Sequence, residues 1–195
     1  MINYRIKAFG QSDHAGTTPM PYRKDALYAA AKLLQYLHDE LDKLDKALVY
    51  TTGEIVCHPN VHTVIPDFVE FSIDARHEDP NVIEQVVEVI KNMPKEIVGC
   101  TTGYERAWSR DTVYYDEKPV GYVTEAVKEL GYSNQRINSG AGHDAQFVSY
   151  MMPTTMIFVP SKDGHSHCEE EFTPVEQCTK GVDVLLNAVL KYDEQ

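Results

Sequence analysis

From Val69 to Arg76 the chain alternates residue by residue, with Phe71, Ile73 and Ala75 apolar and Ser72, Asp74 and Arg76 polar. Successive side chains of a strand point to opposite faces, so this period of two specifies a half-buried strand. A slip of one residue would turn its apolar set to water, which fixes the register. Asp79-Pro80 follows at once, a cap and a first-turn proline, and Val82, Ile83, Val86, Val87, Ile90 and Met93 then recur at helical spacing until Pro94 stops them. A one-faced strand followed by a one-striped helix must bury the two apolar surfaces against each other.

The residues around this pair repeat the theme. Asn3 to Gly10 alternates, with Tyr4, Ile6 and Ala8 on one side. From Arg23 to about Leu44, Leu27, Ala30, Ala31, Leu34, Leu37, Leu41 and Leu44 describe a long amphipathic helix whose outer face carries Lys32, Asp39, Glu40 and Lys43. Ala47 to Cys57 reads as a strand with an irregularity at Thr51-Thr52-Gly53, ended by Pro59-Asn60, and Ile97 to Trp108 as a last strand. The order β-α-β-β-α-β is the ferredoxin-like plan, an α+β arrangement with two helices on one face of a four-stranded antiparallel sheet.

Beyond Arg110-Asp111 the rhythm changes, placing a first domain at residues 1–111 and a second at 112–195. Pro119 to Leu130, His143 to Tyr150 and Val175 to Leu190 read as helices, and Asn134 to Asn138 and Thr155 to Val159 as strands. Thr173, Pro174 and Glu176 form a capping box for the last helix. Two strands and three helices cannot cover both faces of a sheet, so an α/β segment of this kind is expected to lean on further strands.

Composition excludes several roles. A net charge of −12, with no basic stripe, argues against nucleic acid or an anionic membrane as partner. No apolar run approaches the roughly 20 residues needed to span a bilayer. Cys57, Cys100, Cys168 and Cys178 form no C-x-x-C pair, and no charged-then-apolar leader opens the chain, so a cytoplasmic location is expected.

Chemistry concentrates between Ser139 and Glu171. Ser139-Gly140-Ala141-Gly142-His143-Asp144-Ala145 is a glycine loop opening a helix, where flexible backbone and helix-start amides suit a bound carboxylate. After the apolar Thr155 to Val159, a loop carries His165, His167, Cys168 and Glu169 to Glu171, donor types that suit zinc or a similar ion. One loop rarely supplies three or four converging ligands, and a solvated acidic loop is the plainer alternative.

Three blocks carry a resemblance. Ser-Gly-Ala-Gly-His-Asp-Ala (139–145) with Phe158-Val159-Pro160-Ser161 and Gly164, Ser166, His167 and Glu171 is one. Gly10 to Met20 with Arg23, Asp25 and Ala26 is the second. Pro59-Asn60, Val64-Ile65-Pro66 and Asp74-Ala75-Arg76 make the third. Together, and in this order, they resemble the zinc-dependent amidohydrolases that include the N-carbamoyl-L-amino-acid hydrolases and allantoate amidohydrolases, relatives of the aminoacylases and dinuclear zinc exopeptidases. The resemblance implies that residues 1–111 are a ferredoxin-like lid and dimerisation domain. It implies equally that residues 112–195 are the C-terminal part of an α/β zinc-exopeptidase-like catalytic domain whose N-terminal half has no counterpart here.

The roles implied by this resemblance fall on particular residues. His14 is the lid histidine that reaches across a homodimer and stabilises the developing oxyanion, Arg76 binds the substrate carboxylate, and Gly140, Ala141 and Gly142 help to hold it. Asn60 belongs to the substrate-binding block, and His167 is a metal ligand. The implied cofactor is zinc or another divalent ion (manganese, cobalt or nickel), not tightly held by this chain alone. The implied substrate is a small N-substituted amino acid, and the implied partners are a second copy and a separate N-terminal half. Two departures stand out: Thr63, preceded by His62, replaces an asparagine usual before Val-Ile-Pro, and His165 replaces an apolar residue. The expected function is thus a fragment of a metal-dependent amidohydrolase, inactive without its missing half. The alternatives are a catalytically silent dimerisation or binding module, and a dipeptidase- or aminoacylase-type exopeptidase.

Overall fold

The computed structural model describes residues 1–193, in two compact units, Met1–Thr112 and a second beginning at Val113. In the first unit the elements are β1 (Ile2–Phe9), α1 (Ala26–Leu41), β2 (Val49–Thr51), β3 (Ile55–His58), β4 (Phe68–Arg76), α2 (Pro80–Lys91), β5 (Glu96–Ile97) and β6 (Cys100–Ser109). The sheet order is β2-β4-β1-β6-β5, with β3 also paired to β4, and every pairing is antiparallel. This is the ferredoxin-like plan, its second strand split in two.

The split is built around one hydroxyl. Gly53 and Glu54 donate their backbone N–H groups to Oγ of Ser72, at 3.3 and 3.1 Å, while the Ser72 amide donates to the Glu54 carbonyl. The Thr52-Gly53 irregularity thereby becomes a notch closed onto β4. Alternation along β1 and β4 is as expected: Tyr4, Ile6, Ala8, Phe71, Ile73 and Ala75 lie in the core beneath both helices. The other face is charged. Arg5 meets Glu54 at 2.5 Å and Lys7 meets Glu105 at 2.7 Å, with Glu70 within 4 Å of both cations.

Two expectations are corrected here. In α1 the buried stripe is Ala26, Ala29, Ala30, Leu33, Leu37 and Leu41, whereas Leu27 and Ala31 are exposed. Ala30, Leu37 and Leu41 are buried as expected, and Leu34 and Leu44 pack half-buried against the same core, so the buried face is rotated from the expected one rather than replaced. The Asp25 cap, accepting from the amides of Leu27 and Tyr28, and the small Ala26, Ala29 and Ala30, which allow close approach to the sheet, accompany the observed rotation. The single last strand is instead a hairpin: β5 reverses into β6 at Val98 and Gly99, both with positive φ, 46° and 78°. α2 keeps its expected cap, since Asp79 accepts from the Asn81 amide, and Pro80 opens it.

In the second unit the elements are α3 (Glu117–Glu129), α4 (Asp144–Val148) and α5 (Val175–Asp193). α3 and α5 pack through Tyr122, Ala126, Val127, Val184 and Ala188. The expected strands at 134–138 and 155–159 are absent, and the helix expected from His143 to Tyr150 spans only five residues. A strand needs a neighbour to take its N–H and C=O groups, and among the described residues no strand of this unit offers one. α5 leaves Val182, Leu185, Leu186, Val189 and Leu190 exposed, so its apolar surface is larger than α3 covers. Among the described residues no helix is long and apolar enough to cross a membrane.

Candidate functional site

His14 stands on the loop between β1 and α1, exposed, and that loop is zipped to the segment before β4. The Ala15 amide donates to the Thr63 carbonyl and the Ile65 amide to the Asp13 carbonyl, both at 2.9 Å, and His14 itself bridges to Val64. Ser12 Oγ and the Gly10 amide both donate to Asp67, to its carboxylate and its backbone carbonyl respectively. Thr63 acts here through its backbone, a task that any residue type performs.

The imidazole is oriented by its own turn. Gly16 donates its N–H to Nδ1 of His14 at 2.9 Å, so in the neutral ring the proton resides on Nε2, the outward edge. A Cβ on Gly16 would lie 3.1 Å from Cε1 of that ring, closer than ordinary packing tolerates. The His14 carbonyl accepts from both the amide and the hydroxyl of Thr18. Gly16 and Thr18 were legible in the second sequence block, but only the folded turn reveals what they do.

Asn60 is exposed at φ 55° in the same loop region, after β3. Arg76 is elsewhere. It closes β4, half-buried, with Nε donating to Asp74 at 2.7 Å. Phe68 at the start of β4 pairs with Phe9, next to the His14 loop, whereas Ala75 pairs with Ile2, where Met1 and Arg110 exchange backbone hydrogen bonds. Eight residue steps at roughly 3.3 Å put about 26 Å between the two ends of the strand. The first unit therefore brings His14 and Asn60 to one end of its sheet and Arg76 to the other.

In the second unit Gly140, Ala141 and Gly142 are exposed and precede α4. Neither glycine takes a left-handed conformation, and the Ala141 amide turns onto Oγ of Ser139 at 3.2 Å. That same Oγ lies 2.7 Å from Nε2 of His143, whose ring stands edge-on to Phe158. His167 is exposed at φ 59°, its amide donating to Glu171 at 2.7 Å. Among the described residues no three His, Cys, Asp or Glu side chains converge as metal ligands do, so these residues do not by themselves fit a zinc ion.

Comparison with known proteins agrees with the three sequence blocks. An allantoate amidohydrolase of Bacillus subtilis is 38% identical over 96% of this chain and 46% of its own length. An N-carbamoyl-L-amino-acid amidohydrolase of Paenarthrobacter aurescens is 31% identical over 97% and 47%. Among solved structures, an amidase of the hydantoinase/carbamoylase family from Burkholderia vietnamiensis superposes with a TM-score of 0.82 at 35% identity, over 97% of this chain and 47% of that one. AtUAH, solved in complex with glyoxylate, gives 0.89 at 28%, over 100% and 47%. The chain thus spans about half the length of the relatives it matches. Its residues 22–191 match the model of peptidase family M20/M25/M40, and to that family this chain belongs.

Proposed function

We propose that this chain is part of an amidohydrolase that cleaves the carbamoyl or amide C–N bond of a small N-substituted amino acid. The observation that carries the reading is the His14 turn: with Nδ1 occupied by Gly16, an exposed imidazole presents Nε2–H as a fixed donor. A donor held in place before reaction is what a developing oxyanion needs. Arg76 offers a planar guanidinium for a substrate carboxylate, and Asn60 offers an amide at the same end of the sheet as His14.

The separation along β4 supports a homodimer. A substrate the size of an amino acid cannot touch both His14 and Arg76 of one copy when they lie towards opposite ends of a strand about 26 Å long. Two copies joined through the first unit would let His14 of one and Arg76 of the other address the same substrate. A divalent ion, zinc before manganese, cobalt or nickel, would be held mainly by residues outside this chain, with His167 its contribution.

The test is complementation. The chain is mixed with the N-terminal half of the Bacillus subtilis relative and zinc, and hydrolysis of allantoate and of N-carbamoyl amino acids is followed. Turnover in the mixture alone, lost with His14→Ala and with His167→Ala, is the expected result. Zinc-dependent turnover by the chain alone would overturn the reading. A stable complex without turnover would favour a silent dimerisation or binding module. Turnover of dipeptides instead would place the substrate with the exopeptidases.

A further inference from the structure

We infer that Arg23 is a positioning residue for His14, acting through the peptide group that joins Ala15 to Gly16. Arg23 is half-buried after the turn, and its guanidinium is directed at backbone: Nε donates to the Thr18 carbonyl at 2.9 Å and Nη2 to the Ala15 carbonyl at 2.6 Å. The inference rests on the reading of His14 as the oxyanion-facing donor and adds the element that sets its aim.

The geometry of a trans peptide supplies the link. The C=O of Ala15 and the N–H of Gly16 belong to one plane and point in opposite directions. Arg23 holds the oxygen side of that plane, and Nδ1 of His14 receives the hydrogen side at 2.9 Å. Fixing the carbonyl therefore fixes the direction of the N–H. A cation on the oxygen also polarises the amide, because hydrogen bonds in series strengthen one another. Arg23 thereby selects the tautomer that carries its proton on Nε2.

The second bond closes the other end of the same turn. Thr18 returns its amide and hydroxyl to the His14 carbonyl, and Arg23 secures the Thr18 carbonyl in turn. One planar fork thus spans both carbonyls that bracket the loop behind the imidazole. A lysine ammonium, a single point charge on a flexible stem, cannot reproduce a two-pronged planar grip. Among the described residues Arg23 forms no ion pair, so its charge serves these carbonyls rather than a neighbouring carboxylate.

The experiment uses the full chain labelled with 15N, reading the ring nitrogens of His14 and hydrogen exchange at the Gly16 amide. The unaltered chain should show one dominant tautomer, with Nδ1 unprotonated. In Arg23→Ala the two ring signals should move towards each other and Gly16 exchange should rise by at least about tenfold, while the signals of the sheet core stay in place. Arg23→Lys should be intermediate, and free guanidinium well below denaturing concentrations should restore the Arg23→Ala spectrum. Unchanged ring signals and unchanged Gly16 exchange in a folded Arg23→Ala chain would overturn the inference. Should that variant fail to fold, Arg23→Lys and Arg23→Gln carry the same two readouts.

In the complemented enzyme the substitution should lower kcat and leave KM nearly unchanged, since the donor acts on charge formed during reaction. If the ring signals move but His14→Ala leaves turnover intact, the positioning stands and the catalytic reading of His14 falls.

Discussion

Gly16 lies against His14 so closely that its amide bonds the ring at 2.9 Å and a side chain on it would meet that ring at 3.1 Å. A side chain at this point would require the His14 ring to give by a few tenths of an ångström, for reasons of space rather than of backbone conformation. Gly16→Ala should displace the imidazole and lower turnover of the complemented enzyme about a hundredfold, near the effect of deleting an oxyanion donor. The thermal midpoint should hardly move, because the turn is exposed. Calorimetry beside steady-state kinetics checks both halves of the claim.

The rotated stripe of α1 is open to a simple comparison. Leu37 is fully buried, whereas Leu27 is 44% exposed. Leu37→Ala should cost about 2–5 kcal/mol in urea unfolding, the usual range for a buried leucine. Leu27→Ala should cost no more than about 0.5 kcal/mol. A comparable cost at both positions would restore the stripe first expected from the periodicity, which held both leucines.

Val98 is a β-branched residue at φ 46°, followed by Gly99 at 78°, in the two-residue turn between β5 and β6. Left-handed backbone is unfavourable for such a side chain, and asparagine before glycine is the pairing this turn prefers. Val98→Asn should therefore stabilise the first unit by roughly 1 kcal/mol. Urea midpoints of the two proteins measure it.

Burial, with a hydrogen bond to Asp42 next in importance, pushes the Tyr50 phenol up to about 12. In the unfolded chain a tyrosine ionises near its ordinary value of about 10. The stabilising contribution of the neutral phenol is therefore complete below pH 10 and is lost as the pH rises through about 12. Absorbance titration of the folded chain and of Tyr50→Phe should differ by one phenol with a midpoint near 12. A difference centred near 10 would show an ordinary tyrosine there.

His167 is the metal ligand proposed for this chain, and one imidazole binds zinc weakly beside a four-ligand cage. Dialysed at neutral pH, the chain alone should retain no stoichiometric zinc, and adding the complementing half should create retention that His167→Ala reduces. Metal analysis of each sample decides. Two equivalents kept by the chain alone would reveal ligands that the structure does not bring together.

Local pattern was sufficient for much of the first unit. Alternation in β1 and β4 and the Asp79-Pro80 start of α2 each depend on near neighbours in sequence, and each appears where its residues require it. The three motif blocks likewise identified the family from residue types alone. What lay beyond sequence was whatever depends on a partner. Which stripe of α1 is buried was settled by packing against the sheet, and the break at Thr52-Gly53 by the hydroxyl of Ser72 across the strand. Thr155 to Val159 has the composition of a strand and 134–138 holds only Ile137 of that kind; without a neighbouring ladder the backbone groups of both have nothing to pair with, and no strand forms. The site divides in the same way. His14, Asn60 and Arg76 were legible as residues, but their separation to opposite ends of β4, and the single peptide plane linking Arg23 to the His14 ring, arise from strand pairing and loop closure that no local spacing encodes.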